Sequence, residues 1–332
     1  MRDLCLRALD TNSTCAKKTC AEMRLKMKYQ KLGKSEIEVS RIAVGCMRMG
    51  SMAAGEAESL VKHALDKGIN HFDHADIYGG GCCEEIFGDV LKKNPGMREK
   101  MILQSKCGII PGKCYDNSRE YIISATEGIL KRLGTDYLDM LLIHRPDALV
   151  EPEEVAEAFD KLHEQGKVRN FGVSNHSSMQ MELLQKYVKQ PLLTDQLQFS
   201  ITNSNMVRSG LEVNMETEGA ADRDGRVLDY CRWKEITVQV WSPFQYGMFE
   251  GVFLGNEKYA KLNEVIKRIG EKYSVSDTTI ATAWILRHPA QMQVIAGSMK
   301  EKRIDEICAA CEIELTREEW YELYLAAGHI LP

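Results

Sequence analysis

The chain carries little excess charge of either sign, a net of -5 over 332 residues, so it has no basic field for wrapping nucleic acid or lying on an anionic membrane surface. It lacks an apolar run approaching the roughly 18 residues that a membrane-spanning helix needs. Its first residues contain no apolar core of the kind that marks a secretory signal. No Gly-x-Gly-x-x-Gly follows a β-like run, which counts against a doubly wound dinucleotide-binding sheet. No Pro/Gly/Ser-rich linker divides the chain, although its length alone suggests two domains. What remains, 44% hydrophobic and 27% charged residues, is the composition of a globular protein with a sizeable core. Its expected partners are small molecules.

Cysteine is not scarce. Eleven residues, an odd number without a secretory signal, read as reduced thiols of the cytoplasm rather than a disulfide framework. Cys308 and Cys311 form a lone Cys-x-x-Cys in a helical-looking segment, and no second pair stands at zinc-site spacing. No metal is expected.

Residues 1–26 mix basic and acidic side chains and are expected to be a leader that is disordered, appended, or an over-long start. A single domain is expected over 27–332. It opens with alternating apolar and polar residues from Tyr29 to Ser40 around Gly33 and Lys34, a hairpin signal. One grammar then repeats: a short β-branched apolar run, a polar turn, an amphipathic helix. The runs are Ile42–Cys46, Asn70–Ala75, Met101–Lys106, Leu138–His144, Val168–Ser174, Leu193–Phe199, Ile236–Trp241 and Gln293–Gly297. Helical patterns such as Arg119–Leu133 and Glu153–Gln165 lie between them and end at glycines. Eight alternating units predict an α/β protein, a (β/α)8 TIM barrel with an N-terminal β-hairpin.

In such barrels chemistry sits at the C-terminal ends of the strands. Collecting polar residues there gives Asp73 and Tyr78, Lys106, His144, Ser174 with Asn175, Gln196, Trp241 with Ser242, and Ser298 with Arg303. Any one of these is commonly structural: an Asp caps a turn, a Lys snorkels, a His hydrogen-bonds in a core. Together they equip a site. The reference pKa of tyrosine, about 10, is too high for ready proton donation, and a nearby ammonium lowers it. Lys106 is the candidate ammonium, Asp73 its counterion, and His144 a second donor to a substrate oxygen. A tuned acid facing a carbonyl is equipment for reduction.

The segments Gly68-Ile-Asn-His-Phe-Asp-His-Ala-Asp-Ile-Tyr-Gly-Gly, Leu103-Gln-Ser-Lys-Cys, Tyr137-Leu-Asp-Met-Leu-Leu-Ile-His-Arg-Pro-Asp and Gly166-Lys-Val-Arg-Asn-Phe-Gly-Val-Ser-Asn resemble the ordered motifs of the aldo-keto reductases. The resemblance runs from Met27 to the C-terminus. It is closest to bacterial oxidoreductases whose tyrosine motif also reads His-Ala-Asp-Ile-Tyr-Gly-Gly. It implies a tetrad of Asp73, Tyr78, Lys106 and His144 working with NADPH to reduce an aldehyde or ketone. It also implies that Ser174, Asn175 and Gln196 hold the carboxamide, that Trp241 stacks on the nicotinamide and that Ser242 touches the phosphates. Ser298 and Arg303 would grip the 2'-phosphate, with Glu306 facing the adenine. Gly297 and Ile307 stand where many members have Lys and Asn, which leaves NADH open as an alternative cofactor. His74 replaces a commoner small hydroxyl and is expected to point off the catalytic face, since strand neighbours alternate.

Two rival readings follow from the same residues. A metal-dependent barrel hydrolase would use His71, Asp73 and His144. A nucleotide-sensing subunit would bind NADPH with little turnover. Substrate choice is expected to lie in loops over the mouth, Gly108–Asn117, Pro243–Lys258 and the tail Leu325–Pro332; the polar stretch Ser200–Asp224 is either another such loop or a solvated insertion, and its acidic, Asn-rich texture favours the insertion. Cys107, beside Lys106, is the thiol expected to be open to oxidation.

Overall fold

The computed structural model describes residues 27–331; the expected leader lies outside them. The first elements are a short antiparallel pair, β1 (Tyr29–Lys31) and β2 (Glu38–Ser40). Then come β3 (Ile42–Gly45), α1 (Ala54–Asp66), β4 (His71–Asp73), α2 (Cys82–Lys93) and β5 (Ile102–Cys107). A small hairpin, β6 (Ile109–Ile110) with β7 (Cys114–Tyr115), leads into α3 (Arg119–Leu133), β8 (Leu138–Ile143), α4 (Pro152–Glu164) and β9 (Val168–Ser174). The second half runs α5 (Ser178–Tyr187), β10 (Leu192–Gln198), α6 (Asn205–Leu211), α7 (Val227–Lys234), β11 (Thr237–Trp241), α8 (Ala260–Tyr273), α9 (Asp277–Leu286) and β12 (Gln293–Ala296), closing with α10 (Glu301–Ala309) and α11 (Arg317–Ala326).

Strands β3, β4, β5, β8, β9, β10, β11 and β12 pair in parallel, and β12 returns to β3 to close the barrel. Each expected run supplies one of these eight strands, with ends shifted by no more than three residues. The helices form because their apolar residues recur at helical spacing and their ends are chemically marked. For α3, the Ser118 hydroxyl accepts the Tyr121 N–H at the start and Gly134 takes a left-handed φ of 62° at the finish.

The hairpin β1–β2 plugs the N-terminal end of the barrel. Leu32 and Val39 are fully buried against Met140, Leu142 and Leu193, which point inward. Burial of such side chains stabilises by about 1.5–3 kcal/mol each. Gly33 is obligatory at the turn: its φ is 55°, and a Cβ there would meet the Leu193 carbonyl oxygen at 2.5 Å. With its floor sealed by the hairpin, the barrel of the described residues opens at the C-terminal ends of the strands.

Two expectations about the mouth fail. The stretch 200–224 is not a solvated insertion: it contains α6, and Met206, Val207 and Glu212 are buried, the Glu212 carboxylate being held by Thr217 and Arg208. Its acidic texture hid a charge turned inward onto its own loop. The described tail does not line the mouth: His329 engages Ser204 Oγ at 2.9 Å and the Ile201 carbonyl at 2.8 Å, which ties the tail to that same segment.

Candidate active site

Parallel strands with side chains alternating in and out place every second residue of β5 inside the barrel, so Lys106 shares a face with Gln104, while Ser105 points outward to Glu84 of α2. Beyond β4 the chain continues beside β5 rather than leaving it. His74 N–H donates to the Gln104 carbonyl at 2.9 Å and Asp76 N–H to the Lys106 carbonyl at 3.0 Å. A tight turn follows, with Tyr78 N–H bonded to the Ala75 carbonyl at 3.0 Å. This path carries the Tyr78 phenol back over Lys106.

Lys106 is fully buried and Asp73 nearly so. The Lys106 ammonium donates to Asp73 Oδ2 at 2.8 Å, to the His74 carbonyl at 2.7 Å and to Tyr78 Oη at 3.0 Å, which uses its three protons. The other Asp73 oxygen accepts from Gln104 Nε2 at 2.6 Å and Gln196 Nε2 at 3.0 Å. A buried ion pair is tolerated only when its remaining bonding capacity is met in this way. Burial pulls the Lys106 ammonium down and the Asp73 carboxyl up, but their mutual attraction wins at both: Lys106 is raised and Asp73 lowered from their ordinary values. Both are ionised.

Tyr78 corrects one expectation. Burial is the largest influence on the phenol and holds it above the ordinary tyrosine range, with the Lys106 charge working against that rise. Lys106 therefore limits the increase rather than producing a net decrease, and Tyr78 is a phenol, not a phenolate, at neutral pH. His144 follows β8 and meets the Tyr78 ring edge-on at 6.0 Å. Burial, then the Lys106 charge, depress its imidazole to about 3, so it is neutral.

Asp73, Tyr78 and His144 open onto a cavity of about 670 Å3, with Lys106 buried behind them; it is also lined by Ser174, Asn175, Gln196, Trp241, Ser242, Ser298 and Arg303. On one side the polar groups form a chain: Trp241 Nε1 donates to Asn175 Oδ1 at 3.1 Å, Asn175 Nδ2 to Ser174 Oγ at 2.8 Å, and Ser174 Oγ to the Gln196 carbonyl at 2.8 Å. Asn175 holds a left-handed φ of 60°, a conformation asparagine tolerates better than most residues, and this turns its amide towards the cavity wall. Ser298 and Arg303 lie beyond β12. Arg303 is bonded to Thr278 and sits 3.3 Å from Glu306, which does not itself line the cavity.

Several cavity residues escape a reading by strand ends. Arg48, after β3, lines the wall near Gly297, whose carbonyl it binds at 2.8 Å. Arg145 directly follows His144. Beneath the mouth, Gln104, Gln196, Gln239 and Gln293 form an amide belt across the barrel, with Gln239 Nε2 donating to Gln104 Oε1 at 3.1 Å and to Gln293 Oε1 at 2.9 Å. The signal was parity: Gln104 stands two residues before Lys106 on the same face. Two of the three expected substrate loops do reach the cavity, through Ile109 and Tyr115 and through residues 243–254.

His71 does not join Asp73 and His144 in one constellation: its Nδ1 faces the Gln293 amide at 3.1 Å inside the belt. His74 points away from the cavity and packs edge-on against Phe87 of α2 at 4.6 Å, as alternation requires. Cys107 is fully buried and burial drives its thiol well above the ordinary range, so it is held as an unreactive thiol and the expectation of easy oxidation is corrected.

The family model described as "Aldo/keto reductase family" matches residues 41–324. The chain is 36% identical to the uncharacterized oxidoreductase YcsN of Bacillus subtilis, over 90% of this chain and 97% of that protein. It is 33% identical to a 6-dehydroglucose reductase of Agrobacterium fabrum, over 88% and 95%. Among solved structures it is similar to a thermostable aldo-keto reductase, Tm1743, in complex with the inhibitor epalrestat, with a TM-score of 0.71, 27% identity, and coverage of 90% and 100%.

Proposed function

The chain belongs to the aldo/keto reductase family, an oxidoreductase family that uses nicotinamide cofactors, and from that premise we propose that it reduces an aldehyde or ketone to an alcohol with NADPH, Tyr78 acting as the general acid. The observation that carries this reading is the buried Asp73–Lys106–Tyr78 chain, which ends in a protonated phenol inside the cavity beside a neutral imidazole.

The residues present fit a nicotinamide dinucleotide. The cavity offers an amide and hydroxyl ladder of Ser174, Asn175 and Gln196 and an indole at Trp241, whereas guanidinium groups at Arg48 and Arg303 stand with Ser298 at another part of the wall. Amides suit a carboxamide, an indole suits an aromatic ring, and a guanidinium fork suits a phosphate. Ser242 would meet the pyrophosphate, and Glu306 would face the adenine while steadying Arg303. Bound there, the reduced nicotinamide supplies a hydride for the carbonyl carbon.

Tyr78 gives its proton to the carbonyl oxygen as negative charge gathers on it. His144, neutral, is free to donate a hydrogen bond to the same oxygen. Lys106 lies 3.0 Å from the phenol oxygen and stabilises the phenolate that forms, while Asp73 fixes that ammonium in place and neutralises it when the phenol is intact. The sum is carbonyl plus NADPH plus a proton, giving alcohol plus NADP+. Positioned acid catalysis contributes about a hundredfold to ten-thousandfold. Tyr78→Phe should lower kcat for an activated aldehyde by at least about a hundredfold with NADPH affinity unchanged. A variant that reduces the aldehyde at the wild-type rate overturns the assignment.

A further inference from the structure

The cavity wall carries three arginines, and two of them are engaged. Arg48 holds the Gly297 carbonyl, and Arg303 holds Thr278 and Glu306. Arg145 is different. It lines the cavity one residue past His144, yet among the described residues no hydrogen bond, ion pair or aromatic contact engages its guanidinium. The acids that might have paired with it are committed elsewhere. Asp73 is taken by Lys106, Gln104 and Gln196, and Asp147 accepts the backbone N–H groups of Asn117 and Leu149.

Its backbone is nonetheless fixed, because Asn117 Nδ2 donates to the Arg145 carbonyl at 3.0 Å. The cation is thus held at the wall by a braced loop and left without an anion. It also lies apart from Ser298 and Arg303: those follow β12, whereas Arg145 follows β8, four strands away from β12 in either direction around the barrel. Nearby on the substrate loops the lining is apolar, with Ile109, Tyr115, Phe249 and Val252.

We propose that Arg145 is a specificity-determining residue that binds a carboxylate on the substrate, so that the preferred substrate is an oxo acid whose carbonyl meets Tyr78 and His144 while its carboxylate meets Arg145. This rests on the carbonyl-reductase reading and names its substrate class. A single guanidinium offers a planar fork that matches a monoanionic carboxylate in two parallel hydrogen bonds. A phosphate dianion, set in this apolar wall with one cation, would be left undercompensated. The apolar lining between the two polar points suits a hydrocarbon spacer.

The test compares ω-oxo carboxylic acids of increasing chain length with their methyl esters, with saturating NADPH, in the wild type, Arg145→Met and Arg145→Lys. The wild type should favour the acid over its ester in kcat/KM by about tenfold to a hundredfold at one best length, as expected of a hydrogen bond to a charged group. Arg145→Met should bring that ratio to one or below, and Arg145→Lys should restore part of it. The ω-hydroxy acid product should bind the wild type in the presence of NADP+ by calorimetry and bind Arg145→Met at least about tenfold more weakly, a readout without turnover. If the wild type reduces esters and acids equally, or Arg145→Met leaves the ratio unmoved, the carboxylate assignment is overturned while the reductase reading stands. Preference for an aldehyde phosphate over both series also overturns it. If neither series is reduced and neither oxidises NADPH, the reductase reading falls, and the substrate class falls with it.

Discussion

Lys106 keeps its charge where burial alone would strip it, because Asp73, a backbone carbonyl and a phenol occupy its three protons. That arrangement tells against a purely structural ion pair, for which one apolar replacement would serve as well. The same scale governs cofactor choice. Arg303 has a guanidinium already oriented by Glu306, and Gly297 contributes no side chain to the same part of the wall. Arg303→Ala should therefore weaken NADPH binding by about tenfold to a hundredfold, as loss of a charge-assisted contact does, and weaken NADH binding far less. Dissociation constants from cofactor fluorescence measure both, and equal losses for the two cofactors contradict the assignment. Single residues were the least legible level in the sequence. The net direction of the Tyr78 shift depends on how completely the phenol is enclosed, a quantity that no motif contains. Arg145 was written inside the His144 motif, but only its lack of a partner in space sets it apart.

Elements were more legible, since period-two and period-3.6 patterns report which faces are buried. All eight strands and the termini of α3 follow from pattern and capping chemistry. What failed depended on long-range packing. Residues 200–224 look polar because Glu212 and its partners satisfy one another inside the loop. Nothing local in the tail announces that His329 will find Ser204 and Ile201 rather than the mouth. The candidate site was readable at the level of elements for one reason: its residues sit at strand ends or just beyond them, so locating the strands located the chemistry. Arg303 and Glu306 are exceptions, standing on α10, with Glu306 reaching the site through Arg303.

At the scale of the whole molecule, the described residues contain no helix long and apolar enough to cross a membrane, and much of the interior polarity is titratable. Burial depresses His71, His176 and His288 to about 4, and His74 and His144 to about 3. In the unfolded chain each would take its proton near pH 6.5. The unfolded state therefore binds more protons as pH falls below about 6.5, and the stability present above that value is lost towards pH 4. Three buried acids act in the opposite sense: burial raises Asp76 to about 7 and also raises Glu84 and Asp195, so what they contribute is present at low pH and lost as pH rises through their folded values. The depressed histidines outnumber these acids, so stability falls on acidification from about pH 6.5 towards 5. Thermal unfolding across that range should show a steadily falling midpoint. A midpoint that stays level or rises on acidification contradicts the burial of neutral imidazoles.

In the proposed reaction, direct transfer of hydride from cofactor to substrate carbon is the step that the site's residues serve. It can be followed with NADPH deuterated at the nicotinamide C4 and an aldehyde known to be turned over, by mass spectrometry of the alcohol. One deuterium retained on the former carbonyl carbon, with none entering when the solvent alone is deuterated, is the predicted result. An alcohol that takes its carbon-bound hydrogen from water, or cofactor that binds and is never oxidised, would contradict it.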